Sequence, residues 1–164
     1  MAMINTLTKV ALTTAGGIVG AVVGASWVGK KFNKKANNEF QRAEKHLTIM
    51  KVMNQWIIDL QDGKRLSSYF LENGYHSIAI YGMSYLGERL VDELLDSDVE
   101  VKYGIDRNAA NIYTEIEVVT PDRRLDSVDV IVVASPFYYD EIERELSTKT
   151  KCPIISIEDV VYGV

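Results

Sequence analysis

The stretch Ser77–Asn108, S-I-A-I-Y-G-M-S-Y-L-G-E-R-L-V-D-E-L-L-D-S-D-V-E-V-K-Y-G-I-D-R-N, decides the fold. Ile78 to Tyr81 is a short apolar run, as in a strand buried on both faces of a parallel sheet. Gly82, Ser84 and Gly87 then occupy the three spacings of G-x-G-x-x-G, with serine in the middle place. Leu86, Leu90, Val91, Leu94 and Leu95 follow at helical spacing on one face, with Glu88, Asp92 and Glu93 elsewhere. Val99, Val101, Tyr103 and Ile105 alternate as a second strand that ends on Asp106. Strand, glycine turn, helix, strand and acid form the order of a dinucleotide or nucleotide site. In that reading Gly82 permits the tight turn and Gly87 lets the helix approach the sheet. The helix N-terminus, around Tyr85, offers unpaired N–H groups to a phosphate. Asp106 lies nineteen residues past Gly87, where a carboxylate accepts hydrogen bonds from ribose hydroxyls. Arg107 beside it suits a 2′-phosphate instead, so NAD and NADP both remain open.

The competing structural readings concern the same residues. Ser84 carries a Cβ where glycine normally lets the backbone approach pyrophosphate, so the turn can survive without a ligand. Its hydroxyl is free to cap the helix or to meet a phosphate directly. Asp106 equally suits a turn cap.

Downstream, Glu117 to Thr120 reads as a third strand and Val128 to Ala134 as a fourth, the most apolar of all. Phe137 to Ser147 follows as a helix with Ile142 and Leu146 inward, and Pro153 to Ile157 as a fifth strand. Strands alternating with helices imply an α/β, Rossmann-like parallel sheet of about five strands with right-handed crossovers. The expected strand order is 3-2-1-4-5. It puts a ligand crevice between strands one and four at their carboxyl ends, with Gly82, Ser84, Asp106 and Ser135 opening onto it.

Upstream, Val10 to Val28 is nineteen residues without a charge. As a helix it reaches roughly 28 Å, about a bilayer core. Lys9 precedes it, Lys30, Lys31, Lys34 and Lys35 follow, and Trp27 sits at an interfacial place. The expectation is a single-pass anchor in the cell inner membrane with the C-terminal side cytoplasmic. A signal peptide cut after Ala25 and a partly inserted glycine-rich helix are the rival readings. Gly16, Gly20 and Gly24 make one smooth face suited to a homodimer. Phe32 to Asp62 reads as a long amphipathic helix. Phe40, Ala43, Leu47, Met50, Ile57 and Leu60 lie near a three-four repeat that Asn54 interrupts. That stripe serves either a short coiled coil or packing on the globular domain. A shorter helix from Lys64 to Glu72 precedes the first strand. The expected division is therefore an anchor at 1–35, a helical stalk at 36–63 and a Rossmann-like domain at 64–164.

Charge follows the same division. Residues 1–35 hold five lysines and no acid, and the remainder carries a net −10. An acidic body argues against nucleic acid, and the basic flank favours a membrane surface. One cysteine and two separated histidines give no disulfide and no metal-ligand spacing, so no metal is expected.

No catalytic set is visible. Tyr85 and Tyr103 have arginine, not lysine, four residues on, and Ser135 has no histidine base in its sequence context. Asp140, Glu141, Glu143 and Glu145 read as a solvated helix face. Cys152 reads as a small buried residue.

Three runs carry a resemblance: I-A-I-Y-G-M-S-Y-L-G-E-R-L, V-K-Y-G-I-D-R-N and V-D-V-I-V-V-A-S. They resemble the small Rossmann-like nucleotide-binding module of bacterial surface-polysaccharide biosynthesis proteins. That module is similar to the N-terminal nucleotide-binding domain of membrane-bound nucleotide-sugar dehydratases and epimerases, and of sugar acyltransferases. The resemblance spans about residues 64–164. It implies a nucleotide, nucleotide-sugar or dinucleotide ligand, with Gly82, Ser84, Gly87 and Asp106 at the binding positions, and glycosyl-transfer proteins as partners. No catalytic domain follows, so the expectation is an accessory or sensor module. A minimal NAD(P)-dependent nucleotide-sugar oxidoreductase or epimerase, and a ligand-free membrane scaffold, are the alternatives.

Overall fold

The structure, a computed structural model, describes residues 34–164. The expected membrane anchor, with its Gly16, Gly20 and Gly24 face, lies outside the described residues. Among the described residues no helix is long and apolar enough to cross a membrane. The chain divides into two compact units, Met1–Glu44 and Lys45–Val164. Of the first, residues 34–44 are helical and almost wholly exposed, with Arg42 paired to Glu39 at 3.5 Å.

The second unit is an α/β domain. Residues 45–61 form α1, followed by α2 (Leu66–Glu72), β1 (Ser77–Tyr81), α3 (Tyr85–Leu94) and β2 (Glu100–Ile105). Then come β3 (Val118–Val119), β4 (Val130–Val133), α4 (Tyr139–Leu146), β5 (Ile154–Ser156) and α5 (Ile157–Tyr162). The five strands are all parallel, in the order β3-β2-β1-β4-β5, as the sequence pattern led us to expect.

Strand alternation builds two cores. Ile78, Ile80, Val130 and Val132 face one side of the sheet, with residues of α1, α2, α3 and α5. Ala79, Tyr81, Ile131 and Val133 face the other, with Ile142 and Leu146 of α4. Leu86, Leu90, Val91 and Leu94 bury the inner face of α3, whereas Leu95 is about half exposed because the helix has already ended. The final segment is a short helix, α5, that buries Ile157, Val160 and Val161. Ser156 caps it by accepting from the Glu158 N–H at 3.2 Å, and Asp159 accepts from the Ser156 N–H at 3.0 Å.

Of the two readings of the α1 stripe, packing on the domain does not hold. Leu47, Met50, Ile57 and Leu60 point outward, and Val52, Trp56 and Asp59 are buried instead, with Ile49 and Met53 packed beside them. Two three-four repeats share this helix, and the one carrying a charge faces the domain. Asp59 is 3% exposed, accepts from Gln55 at 3.2 Å and pairs with Lys64 at 3.3 Å. Trp56 Nε1 donates to Glu93 on α3, whose other oxygen accepts the Leu66 N–H at the start of α2 at 2.7 Å. Polar pairing of this kind is what makes burial of that face tolerable.

At the turn after β1, Gly82 and Gly87 are held by conformation and close contact. Gly82 has φ +94°, and a Cβ there would lie 2.5 Å from Ser135 Oγ. A Cβ on Gly87 would lie 2.2 Å from the Gly82 carbonyl oxygen. Gly74, at φ +73°, has open space around it. Gly87→Ala should therefore cost at least about 2 kcal/mol by overpacking. Gly74→Ala should cost about 1 kcal/mol of backbone strain alone. Urea unfolding of the two variants checks the ranking.

At the opposite end of the sheet Asp129 ties β1 to β4. It accepts from the Ser77 N–H at 2.8 Å, the His76 N–H at 2.9 Å and Ser77 Oγ at 2.9 Å. The Ser77 backbone bond, chiefly, holds its carboxyl below the ordinary 3.8. A carboxylate with a depressed native pKa stabilises the fold above the unfolded pKa, and that stabilisation fades as pH falls through the native value. Asp129→Asn should be less stable than wild type at pH 7. The gap should narrow below about pH 4, as melting temperatures across pH 2–7 would record.

Candidate functional site

Parallel sheets place their ligand crevice where the strand order reverses, here between β1 and β4 at the carboxyl ends. The chain after β1 turns at Gly82 and enters α3, and the chain after β4 leaves through Ser135. Ala134 N–H donates to the Tyr81 carbonyl at 2.8 Å, and Gly82 N–H donates to the Ile105 carbonyl at 2.8 Å. The three strand ends are thereby held level.

A cavity of about 280 Å³ opens there, lined by Tyr81, Gly82, Asp106, Arg107, Ser135, Tyr138, Glu141 and Ile142. Four of the seven residues expected at the site line it: Gly82, Asp106, Arg107 and Ser135. Ser84 and Tyr85 do not. They line a separate recess of about 20 Å³ with Lys45, Ile49 and Phe137, and Ser135 and Tyr138 border both spaces. Lys45 Nζ sits 4.9 Å from the centre of the Tyr138 ring. Gly87 lies behind the turn and lines neither.

Asp106 has a structural duty. One oxygen accepts the Met83 N–H at 3.0 Å and the other the Asn108 N–H at 2.8 Å. The carboxylate thus staples the glycine turn to the end of β2. An ionised carboxylate has about four acceptor positions, so each oxygen keeps capacity toward the cavity. Ser84 precedes α3 in extended conformation, and its hydroxyl makes no cap hydrogen bond.

Arg107 is committed across the crevice mouth. Its guanidinium meets Glu141 at 3.3 Å and Glu145 at 3.3 Å, both on α4. Those hydrogen bonds, the one to Glu141 foremost, hold its pKa above the ordinary value. Glu145 also binds Lys149 at 2.8 Å, and this pair, with Arg107 behind it, lowers the Glu145 carboxyl. The acidic run of α4 is therefore partly a wall of the site, not only a solvated face.

Tyr81 was not among the residues the sequence pointed to. The residue lines the cavity and is 5% exposed, and its buried hydroxyl has no partner in hydrogen-bond geometry. Burial pushes the phenol up in pKa, and the charge of Arg107, close enough to attract its oxygen though not in hydrogen-bond geometry, partly offsets this. The phenol is a neutral donor at ordinary pH. The one sequence signal was a tyrosine closing an otherwise aliphatic buried strand. Tyr139, in contrast, is used by the fold, donating to the Ile154 carbonyl at 2.9 Å. Cys152 is half-buried, with its sulfur 3.2 Å from Thr150 Oγ1.

A larger cavity, about 340 Å³, lies between α1 and α3 and is lined by Met53, Trp56, Ile57 and Leu60 among others. Arg65, Arg89, Asp92 and Glu93 also line it, Glu93 being engaged with Trp56 and Leu66 and Arg89 with Asp92 at 3.0 Å. Among the described residues no group of three or more side chains could hold a metal ion.

Asp106→Ala should leave the Met83 N–H buried without a partner and cost about 1–3 kcal/mol. Asp106→Asn keeps one acceptor oxygen and should cost under about 1 kcal/mol. Denaturant titration of both checks this, and it makes the asparagine variant the usable probe of binding.

No family model, curated protein or solved structure matches this chain.

Proposed function

We propose that this chain is a binding module for a nucleotide-type ligand, acting as an accessory or sensor in surface-polysaccharide biosynthesis and not as an enzyme. The observation that carries this reading is the convergence of Asp106, Arg107, Ser135 and Tyr81 on one cavity at the switch point of the sheet. Among the described residues no histidine, lysine or cysteine lines that cavity, and its two carboxylates already accept from backbone N–H groups or from Arg107. That favours recognition over acid–base chemistry. The polysaccharide setting, the glycosyl-transfer partners and the inner-membrane location rest on the sequence resemblance and on the apolar run at Val10–Val28.

The ligand we propose is smaller than a dinucleotide. The cavity is near the lower end of common ligand pockets, which run about 300–1,000 Å³. The start of α3, where a pyrophosphate would rest, borders only the 20 Å³ recess beneath Lys45 and Ile49. Arg107, the expected reader of a 2′-phosphate, already meets two glutamates.

Thermal melting of the full chain against uridine and adenosine mononucleotides, nucleotide sugars, coenzyme A, NAD and NADP tests this. A ligand at a hundred times its Kd adds about 2.7 kcal/mol, a clear rise in Tm. A mononucleotide or nucleotide sugar should raise it, and Asp106→Asn should reduce the rise. If nothing shifts it, the ligand-free scaffold replaces this reading.

A further inference from the structure

We infer that the outward face of α1 is the docking surface for a second copy of this chain, the two α1 helices lying parallel and in register. The helix has two working faces. With Leu47 taken as the first position of a heptad, Ile49, Val52, Trp56 and Asp59 fall at outer positions, and these lie against the domain. The seam positions fall on the other side: Leu47, Met50, Asn54, Ile57 and Gln61. All five are exposed, Met50 by 61% and Ile57 by 51%. The domain therefore uses the back of the helix for its own core and turns a coiled-coil seam outward. A contiguous apolar patch left open in this way marks an interaction site.

Asn54 names the occupant. A lipid surface or an apolar groove laid on this face would bury its amide without a partner, which is costly. An identical helix in register brings Asn54 against Asn54, and each amide can both donate and accept. A single asparagine at such a seam position fixes register and chain number. The same register sets Met53 beside Ile58 of the second copy, so apolar contact widens around the Ile57 pair. Ile58 is exposed by 42% and is free to make that contact. Upstream in the sequence Ala43 and Phe40 keep the spacing, which lengthens the repeat to about three heptads. Residues 34–44 are helical although almost wholly exposed, and a helix of that length is marginal in water without a packing partner.

Cysteine crosslinking of the full chain in mild detergent tests this. Cys152→Ser removes the single native thiol, and one new cysteine is then introduced at a time. Asn54→Cys and Met50→Cys should each give a disulfide-linked dimer under mild oxidation, because an in-register seam holds like positions within disulfide reach. Arg124→Cys, exposed and outside α1, should not. Ile57→Asp in the native chain should weaken dimerisation at least about tenfold by sedimentation, since it sets two carboxylates in an apolar seam. Its site is exposed, so the melting temperature of the domain should hold, which separates lost docking from lost folding. A dimer in which Asn54→Cys and Met50→Cys crosslink no better than Arg124→Cys is joined elsewhere and overturns the inference. So does crosslinking of Leu47→Cys chains to Ile57→Cys chains in preference to either with itself, which marks antiparallel helices. A full chain that sediments as a monomer also overturns it, and leaves the stripe to a lipid surface or to a different protein.

Discussion

The domain depends on one close approach of backbone to backbone at the end of β1. The carbonyl of Gly82 lies against the α-carbon of Gly87, and the α-carbon of Gly82 lies against the Ser135 hydroxyl. A Cβ on Gly87 would meet backbone, and the φ of +94° at Gly82 strains any residue that carries one. Together the two contacts let α3 start directly over the strand it leaves and let the β4 exit pass beside it. Asp106 completes the arrangement by accepting from Met83 in the turn and Asn108 beyond β2. Glycine spacing of this sort is usually read as room for a phosphate. Here the room is taken by the protein's own atoms, so the motif reports the fold first and the ligand only indirectly.

That has consequences for the crevice. The phosphate-favouring features of such folds are a free helix N-terminus and a free cation. In this domain the helix start borders a small recess below α1, and the nearby arginine is held by two glutamates. What remains open to the cavity are acceptor positions, with the Tyr81 ring in its wall. The polarity of the site thus follows from α4, whose acidic side faces Arg107 across the mouth. A reading of strand ends alone would have missed this, because Glu141 and Glu145 belong to a crossover helix more than thirty residues along the chain from Arg107.

The first helix makes a related point about burial. Its more apolar stripe, Leu47, Met50, Ile57 and Leu60, is exposed, and the stripe with Asp59 and Trp56 is inside. Burying Asp59 is tolerable because Gln55 and Lys64 meet its carboxylate. Burying the Trp56 N–H is tolerable because Glu93 accepts it while also serving the first N–H of α2. One glutamate therefore ties three helices together. Hydrophobic count along a helix does not see such pairing, because the partners are distant in sequence and contribute nothing to local periodicity.

The sequence by itself determined the α/β class, the five parallel strands and their 3-2-1-4-5 order. These follow from local quantities: strand and helix periods, glycine and proline stops, and the handedness of crossovers. It also placed Gly82, Asp106, Arg107 and Ser135 at one end of the sheet, because strand ends are legible in order. Tertiary structure decided what those residues do there. It set Asp106 to stapling a turn, Arg107 to bridging α4, and Ser84 and Tyr85 to a different recess. It also buried the Tyr81 hydroxyl beside Arg107 without a partner in hydrogen-bond geometry. Whether a polar group is satisfied, neutralised or idle depends on atoms brought together from remote segments, and only the folded chain brings them together.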